Sequence, residues 1–444
     1  MTSSTAPKPA KELLEYAESA WSGTRPVTAT GSAVYKETGP HRVAEGVWMW
    51  PAFGNVHIFD TSEGLLLFDT GEARAADSLY AAIRAMTDKP VHTAVYSHGH
   101  IDHVCGVDPF DAEAGTTGVP RPRVVAQRNV AHRFRRYERT AGYNTRVNRR
   151  QFGSPEHTFP DRFRMPDLEY SDALRLRLGE LEMELHHRRG ETDDATIGWV
   201  PQQKILLTGD FFIWAAPNPG NPQKVQRYAW EWAEALEWMA GLGAEVLLPG
   251  HGAPIFGAER IRQALTDTAE YLSHLVDHTV DGMNAGADLE TIAGSFAVPE
   301  HLREKRYLQP SYDEPEFIVR NVWRLYGGWW DGDPARLKPA PRAELAAELA
   351  ELVGDAQALA EHALVLLELG EHRLAAQFAQ LAGDASDEVT RDVDEARLKV
   401  FTELVRVSTS TMSKGVYRWA AAESLARLDG VDVFAAVATL KARE

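Results

Sequence analysis

The segment Tyr96-Ser97-His98-Gly99-His100-Ile101-Asp102-His103 constrains this chain more than any other, because three histidines and an aspartate lie within six residues in the pattern H-x-H-x-D-H. The run before it, His92-Thr93-Ala94-Val95-Tyr96, reads as a short buried strand. A strand that ends in a turn splays successive side chains around a point just beyond its C-terminal end. Imidazole and carboxylate are the ligands that a borderline ion such as zinc prefers. The spacing lets His98 and His100 face one ion, and Asp102 and His103, after the turn, face a second. Side chains of the same chemistry recur downstream, just after predicted strands, at Glu191, Asp210 and His251. A bare histidine-rich surface loop would have no reason to be accompanied in this way.

The rest of the chain narrows the setting. It has 444 residues, 44% of them apolar and 25% charged, an ordinary globular balance with room for two domains. A formal net charge of −17 would repel a nucleic-acid backbone and an anionic membrane surface, so neither is an expected partner. The start, Met1-Thr2-Ser3-Ser4-Thr5-Ala6-Pro7-Lys8, leads into a polar helix, so neither a signal peptide nor a transmembrane span is expected. Cys105, the only cysteine, excludes an intrachain disulfide and fits a reducing cytoplasm. Two residues past His103, it reads as a small buried apolar side chain.

Residues 8–22 read as a helix followed by a polar linker. Val47–Trp50, Val56–Phe59 and Leu65–Phe68 read as strands, the third ending in Asp69-Thr70-Gly71, with a helix over about 73–87. Residues 105–173 read as irregular, rich in Pro, Arg and Gly, with one helix near 127–140. So long an excursion is usually functional. Its arginines 133, 135, 136, 139, 146, 149 and 150 make it a candidate for meeting an anionic substrate, or else a solvated face paired to acidic neighbours. Leu174–Leu178 with Leu181–His187, and Ala195–Val200 with Lys204–Thr208, read as hairpins. A loop over 211–228, a helix over about 229–242, a strand over 246–248 and a helix over about 257–282 follow. Strands and helices thus alternate in two halves, which predicts an α/β domain with helices packed on two facing sheets. After Gly286 the pattern turns helical: Ala343–Gly354, Ala356–Leu369, His372–Ala382, Asp387–Ser408 and Lys414–Leu428 predict amphipathic helices. The expected domains are 1–284 and 285–444.

The ligand pattern resembles the metallo-β-lactamase superfamily of hydrolases. Phe68-Asp69-Thr70-Gly71 matches that superfamily's first motif, whose aspartate is structural, and His98-x-His100-x-Asp102-His103 matches its second. Thr208-Gly209-Asp210 and Pro249-Gly250-His251-Gly252 match the fourth and fifth. The third is usually Gly-His-Thr, whereas this chain has Gly190-Glu191-Thr192. Glutamate there resembles the type III alkylsulfatase branch, although that branch more often has a second glutamate where this chain has Asp210. His186 and His187 are alternatives for the missing histidine but lie inside the preceding strand. Tyr312-Asp313-Glu314-Pro315-Glu316-Phe317 and Tyr326-Gly327-Gly328-Trp329-Trp330-Asp331-Gly332-Asp333-Pro334 resemble the helical dimerisation domain of the same branch.

The resemblance implies an αββα metallo-β-lactamase sandwich followed by an all-α dimerisation domain, and a homodimer. Trp323, Trp329 and Trp330 are candidates for its interface, or for core within the domain. It implies two zinc ions, one held by His98, His100 and Glu191, the other by Asp102, His103 and His251, with Asp210 between them. Ions about 3.5–4 Å apart polarise a shared water and bring its pKa towards about 7. The sterol-carrier-like domain common in the branch is not expected in a chain ending at Glu444. The branch grips sulfate with an Asn and an Arg after the fourth motif. Asn218 has the expected offset of eight from Asp210, but the Asn-x4-Arg-Gly spacing is absent, which leaves Lys224 or Arg227 for the cationic role and Tyr228 as proton donor. Asn144 and Arg150, in a segment that partly resembles the family's substrate loop but has Phe152 in place of tyrosine, are further candidate contacts. Asp102, Asp210 and Tyr228 are the candidate catalytic residues. The expected activity is cleavage of an alkyl sulfate to alcohol and sulfate by a metal-bound hydroxide. The alternatives are hydrolysis of a lactone, ester, thioester or phosphoester, an iron–iron redox site, and a scaffold that keeps the fold without catalysis.

Overall fold

Alternating side chains on short strands build two sheets that share one core. The computed structural model describes residues 9–24, 39–386 and 388–444. The first sheet runs β1 (His41–Ala44), β2 (Val47–Trp50), β3 (Val56–Thr61), β4 (Gly64–Phe68), β5 (Val91–Val95), β6 (Arg123–Gln127) and β7 (Leu168–Tyr170), neighbours in that order. The second contains β8 (Ala173–Leu178), β9 (Leu181–His187), β10 (Thr196–Val200), β11 (Ile205–Gly209), β12 (Val246–Pro249) and β13 (Ile255–Phe256), ordered β13-β12-β11-β10-β9-β8.

Successive strand residues point to opposite faces. In β4, Leu65 and Leu67 pack with Leu79 and Ile83 of the helix Ala76–Met86, while Leu66 and Phe68 share a cluster with Met183, Leu185, Ile197 and Leu207 of the second sheet. Both faces are covered, which is why the strand reads as an unbroken apolar run. Each such leucine removed from water contributes roughly 1.5–3 kcal/mol. The helices Ala229–Ala240 and Ala258–Asn284 add Trp232, Leu236, Leu265 and Leu272 to the core of the second sheet. The predicted αββα layering is the observed one. No helix among the described residues is long and apolar enough to cross a membrane.

The stretch 105–173 differs from expectation. It contains the helix Asp108–Thr117, β6, the 24-residue helix Asn129–Phe152 and β7, rather than one short helix in irregular chain. The long helix needs only a narrow apolar stripe: Val130 and Phe134 pack on Ala94, Val124 and Ala126 of the first sheet. Its arginines mask that stripe in the sequence. The N-terminal helix spans Lys11–Ser22, while residues 1–8 and the linker expected after the helix fall largely outside the described residues.

By compactness the chain forms two units, residues 1–140 with 160–326, and residues 141–159 with 327–444. The expected cut near 285 and this division differ because Leu289, Ile292, Leu302, Tyr307, Ile318 and Val322 bury in the core of the first unit. The second unit contains the helices Arg342–Val353, Ala356–Glu368, His372–Asp384, Arg391–Val407, Thr411–Asp429 and Val433–Lys441. Asp387, where one helix was expected to start, lies outside the described residues. Helix starts are fixed by side-chain caps: Asp355 accepts from the Ala358 amide at 2.8 Å, Ser410 from Ser413 at 3.1 Å and Asp432 from Phe434 at 2.8 Å. Each is worth about 1 kcal/mol.

Candidate metal centre

Four breaks in the strands converge on one place in the first unit. The loop after β5 carries His98 and His100, and the single helical turn Ile101–Val104 carries Asp102 and His103. Glu191 follows β9, Asp210 follows β11 and His251 follows β12. Their ligand atoms form two groups, His98, His100, Glu191 and Asp210, and Asp102, His103 and His251.

Asp210 faces both groups. Its Oδ2 lies 3.7 Å from His98 Nε2 and 3.2 Å from His251 Nε2, and its Oδ1 lies 3.3 Å from His103 Nε2. Glu191 Oε2 lies 3.5 Å from His98 Nε2 and 3.3 Å from His100 Nδ1. Asp102 Oδ2 lies 3.5 Å from His103 Nε2 and 3.4 Å from His251 Nε2. Gly250 has no side chain because a Cβ would stand 2.2 Å from Asp210 Oδ1.

The hydrogen bonds behind the ligands fix which ring nitrogens point inward. Ser97 Oγ donates to Asp69 Oδ2 at 2.7 Å, so at 3.0 Å it accepts from His98 Nδ1. Asp69 Oδ2 accepts from His103 Nδ1 at 2.8 Å, and the Phe53 carbonyl accepts from His251 Nδ1. The Nδ1 side of all three rings is therefore engaged, and Nε2 of each faces inward. Asp69 itself sits at φ 63°, a left-handed conformation that aspartate tolerates better than most residues. From there it also accepts from the Ser97 amide at 2.6 Å.

This donor set fits divalent cations. Glu191 Oε2 and Asp210 Oδ1 are buried and have no hydrogen-bond donor. Burial and the rings of His103 and His100 push His98 down to about 3, so it is a neutral imidazole. Burial opposes charge on Glu191, yet Arg227 and His100 hold its pKa down at about 2. Against burial, the carboxylates of Asp210 and Asp102 raise His251 to about 9. A cluster of buried carboxylates holding positive charge nearby is what a cation site requires.

Asn218 Nδ2 and Arg227 Nη1 both donate to Glu191 Oε1, at 3.0 and 2.6 Å, and Arg227 also donates to the Asn218 carbonyl at 3.0 Å. Both side chains reach the ligand cluster, with the Glu191 carboxylate as their shared partner. Lys224 is half-buried; desolvation and Arg227 push its ammonium down to about 8, against the pull of Asp102 and Glu191. Tyr228 has its ring under the Arg189 guanidinium, 5.2 Å from the centroid, and the charges around its hydroxyl are those of Asp193, Arg189, Glu231 and Arg133. The tyrosine whose hydroxyl feels Arg227, Glu191 and Asp102 is Tyr312, held neutral by burial. Asn144 and Arg150 lie on the part of the long helix that belongs to the second unit. His186 and His187 stay on β9, where the His186 ring lies 4.8 Å from that of Trp238 at a tilt of 59° and His187 Nδ1 donates to the Ala195 carbonyl.

Several supporting residues carry no ligand chemistry and escape sequence reading. Arg133 donates to Asp194 Oδ2 at 2.6 Å and to Asp193, and Asp194 accepts from the Gly99 amide at 3.2 Å. The first arginine of the basic run is therefore a buried clamp on the His98-Gly99-His100 turn, not a solvent-facing charge. Its signal was the acidic pair two residues past Glu191. Asn55 Nδ2 donates to the carbonyls of Pro249 and Gly252, both at 3.0 Å, and holds the His251 loop.

Residues 49–251 match the family described as the metallo-beta-lactamase superfamily, and with the fold and ligand set they define a member of that superfamily. Residues 288–426 match the family described as alkyl sulfatase dimerisation. Carrying both matches, the chain fits the superfamily's alkylsulfatase branch. It is 26% identical over 404 residues to a linear primary-alkylsulfatase from Pseudomonas sp., covering 84% of this chain and 74% of that one. It is 28% identical over 352 residues to an (R)-specific secondary-alkylsulfatase from Pseudomonas sp., covering 73% of this chain but 53% of that one. The solved structure of a stereoselective inverting sec-alkylsulfatase from Pseudomonas sp. shares the fold, with a TM-score of 0.76 and 22% identity over 91% of this chain and 70% of that one.

Proposed function

We propose that this protein is a dinuclear zinc hydrolase that cleaves alkyl sulfate esters to alcohol and inorganic sulfate. The observation that carries this reading is the pair of ligand groups sharing Asp210, with Arg227 and Lys224 brought up beside them. An anionic ester meets a carboxylate-rich centre only if cations line its approach. Divalent ions held by His98, His100 and Glu191, and by Asp102, His103 and His251, supply Lewis acidity and lower the pKa of water. The chain's own groups do the rest. Asp210 holds the two ligand groups together, and the Arg227 guanidinium and Asn218 amide orient Glu191. Lys224, protonated below about pH 8, offsets charge on a sulfate oxygen. The names of the relatives support the same bond. In this reading residues 1–284 are the catalytic domain and 285–444 the dimerisation domain, the protein is a homodimer, and a reducing cytoplasm suits its single cysteine.

A second reading keeps the centre and changes the bond to a lactone, ester, thioester or phosphoester. It is favoured by Arg227, whose Nη1 is already committed to Glu191 and the Asn218 carbonyl. The deciding experiment is sulfate release by zinc-loaded protein from short and long, primary and secondary alkyl sulfates, with metal content measured alongside. Two zincs per chain and sulfate release are expected. Hydrolysis of a lactone or thioester panel without sulfate release would overturn the first reading in favour of the second.

A further inference from the structure

We infer that residues 309–324, which carry none of the metal-centre ligands, set the position of the loop 217–228, with Asp313 as the positioning residue for Asn218 and Asn321 for Arg227. This rests on the reading of that loop as the substrate-facing wall. The loop has no regular structure of its own, so its shape must come from what holds its backbone. Asp313 is fully buried, and its two oxygens accept from the Gly220 amide at 2.8 Å and the Glu314 amide at 2.9 Å. Asn321 Nδ2 donates to the carbonyls of Pro219 and Arg227, the second at 3.2 Å. Gln226 Nε2 donates back to the Asn321 carbonyl at 3.1 Å, and Arg324 Nε donates to Gln226 Oε1 at 2.9 Å. At the near end the Ala216 amide donates to the Gln309 carbonyl at 2.9 Å.

Both functional side chains of the loop are thus bracketed. Pro219 and Gly220, directly after Asn218, hang from Asn321 and Asp313, and the Arg227 carbonyl hangs from Asn321. The fit leaves no slack: a Cβ on Gly220 would stand 2.3 Å from the Ile318 amide nitrogen. Burial pushes the Asp313 carboxyl up to about 7. A carboxylate in so dry a place disfavours the fold, and its purchase is two fixed backbone amides rather than net stability.

The test uses the zinc-loaded full chain with Asp313→Ala, Asp313→Asn and Asn321→Ala. Hydrogen exchange is followed by mass spectrometry across the chain, with zinc content, KM and kcat for an alkyl sulfate. The expected result is exchange at 216–228 faster by about tenfold or more in both alanine variants, with the rest of the first unit unchanged. KM rises about tenfold with zinc retained, a displacement of less than an ångström in a gripping group sufficing for that. Asp313→Asn, which keeps one acceptor, falls between. Unchanged loop exchange and KM, or exchange that rises evenly across the first unit, would overturn the inference. If Asp313→Ala does not fold, Asn321→Ala, at a half-buried site, decides by the same readouts. If the unaltered protein releases no sulfate, the functional reading fails by itself, and loop exchange still decides this one.

Discussion

Replacing Arg133 by methionine separates the anion receptor that the sequence offers from the buried clamp that the structure shows. Arg133 is 3% exposed, and its guanidinium donates to Asp194, which is completely buried, and to the partly exposed Asp193. Burial alone would raise the pKa of Asp194; Arg133 overrides it and brings it to about 2, from an ordinary 3.8. At 1.36 kcal/mol per unit, that depression is about 2 kcal/mol of linkage. The folded pKa is the lower one, so this contribution is complete above about pH 4 and is lost as pH falls towards 2. Removing the partner does more than cancel it, because a carboxylate is left in a dry site; breaking a buried pair costs about 3–5 kcal/mol. The expected loss in urea unfolding at pH 7, followed by tryptophan fluorescence, is therefore about 3–5 kcal/mol. The deficit narrows on acidification towards pH 4, where the stranded carboxyl takes up a proton. Arg133→Met with Asp194→Asn should recover most of the loss, since the two side chains form one interaction. An Arg133→Met variant of unchanged stability but raised KM, or a double variant whose losses simply add, would refute the clamp and return Arg133 to the substrate.

Two further outcomes follow from the same geometry. Asp69→Asn keeps the fold but replaces the acceptor of the His103 Nδ1 proton with an amide, so zinc affinity measured against a chelator should fall about 10–100-fold; an unchanged affinity would mean that Asp69 does not orient His103. Tyr228→Phe should leave kcat within about threefold, because its ring lies under Arg189, whereas Tyr312→Phe should lower kcat about 100-fold if its hydroxyl transfers a proton; the reverse order in steady-state kinetics would restore the donor role to Tyr228.

What could be read from the sequence follows a physical divide. Metal ligation restricts residue types severely, so His98, His100, Asp102 and His103 announce themselves within a few positions. Strands buried on both faces announce themselves too, as Gly64–Phe68 does with its run of leucines. Side chains that bind backbone groups carry no such restriction. Asn55 grips the carbonyls of Pro249 and Gly252 from almost two hundred residues away, and nothing local to Asn55 records it. Arginine is the most ambiguous case, since solvated and buried guanidiniums look alike in a sequence and only burial tells Arg133 from its neighbours.

The centre also joins two departures from the expected motifs that looked independent. A histidine at position 191 would offer one lone pair to a metal and, behind it, a ring N–H that repels a guanidinium. Glutamate offers two oxygens. Oε2 faces His98 and His100, and Oε1 remains as an anionic acceptor for Asn218 and Arg227. That second oxygen gives Arg227 a partner nine residues past Asn218, where the family spacing would have placed the cation five residues past it. The glutamate in the third motif and the altered spacing in the loop after the fourth are therefore one electrostatic arrangement, in which Arg227 and the histidines of the first ligand group share the charge of Glu191.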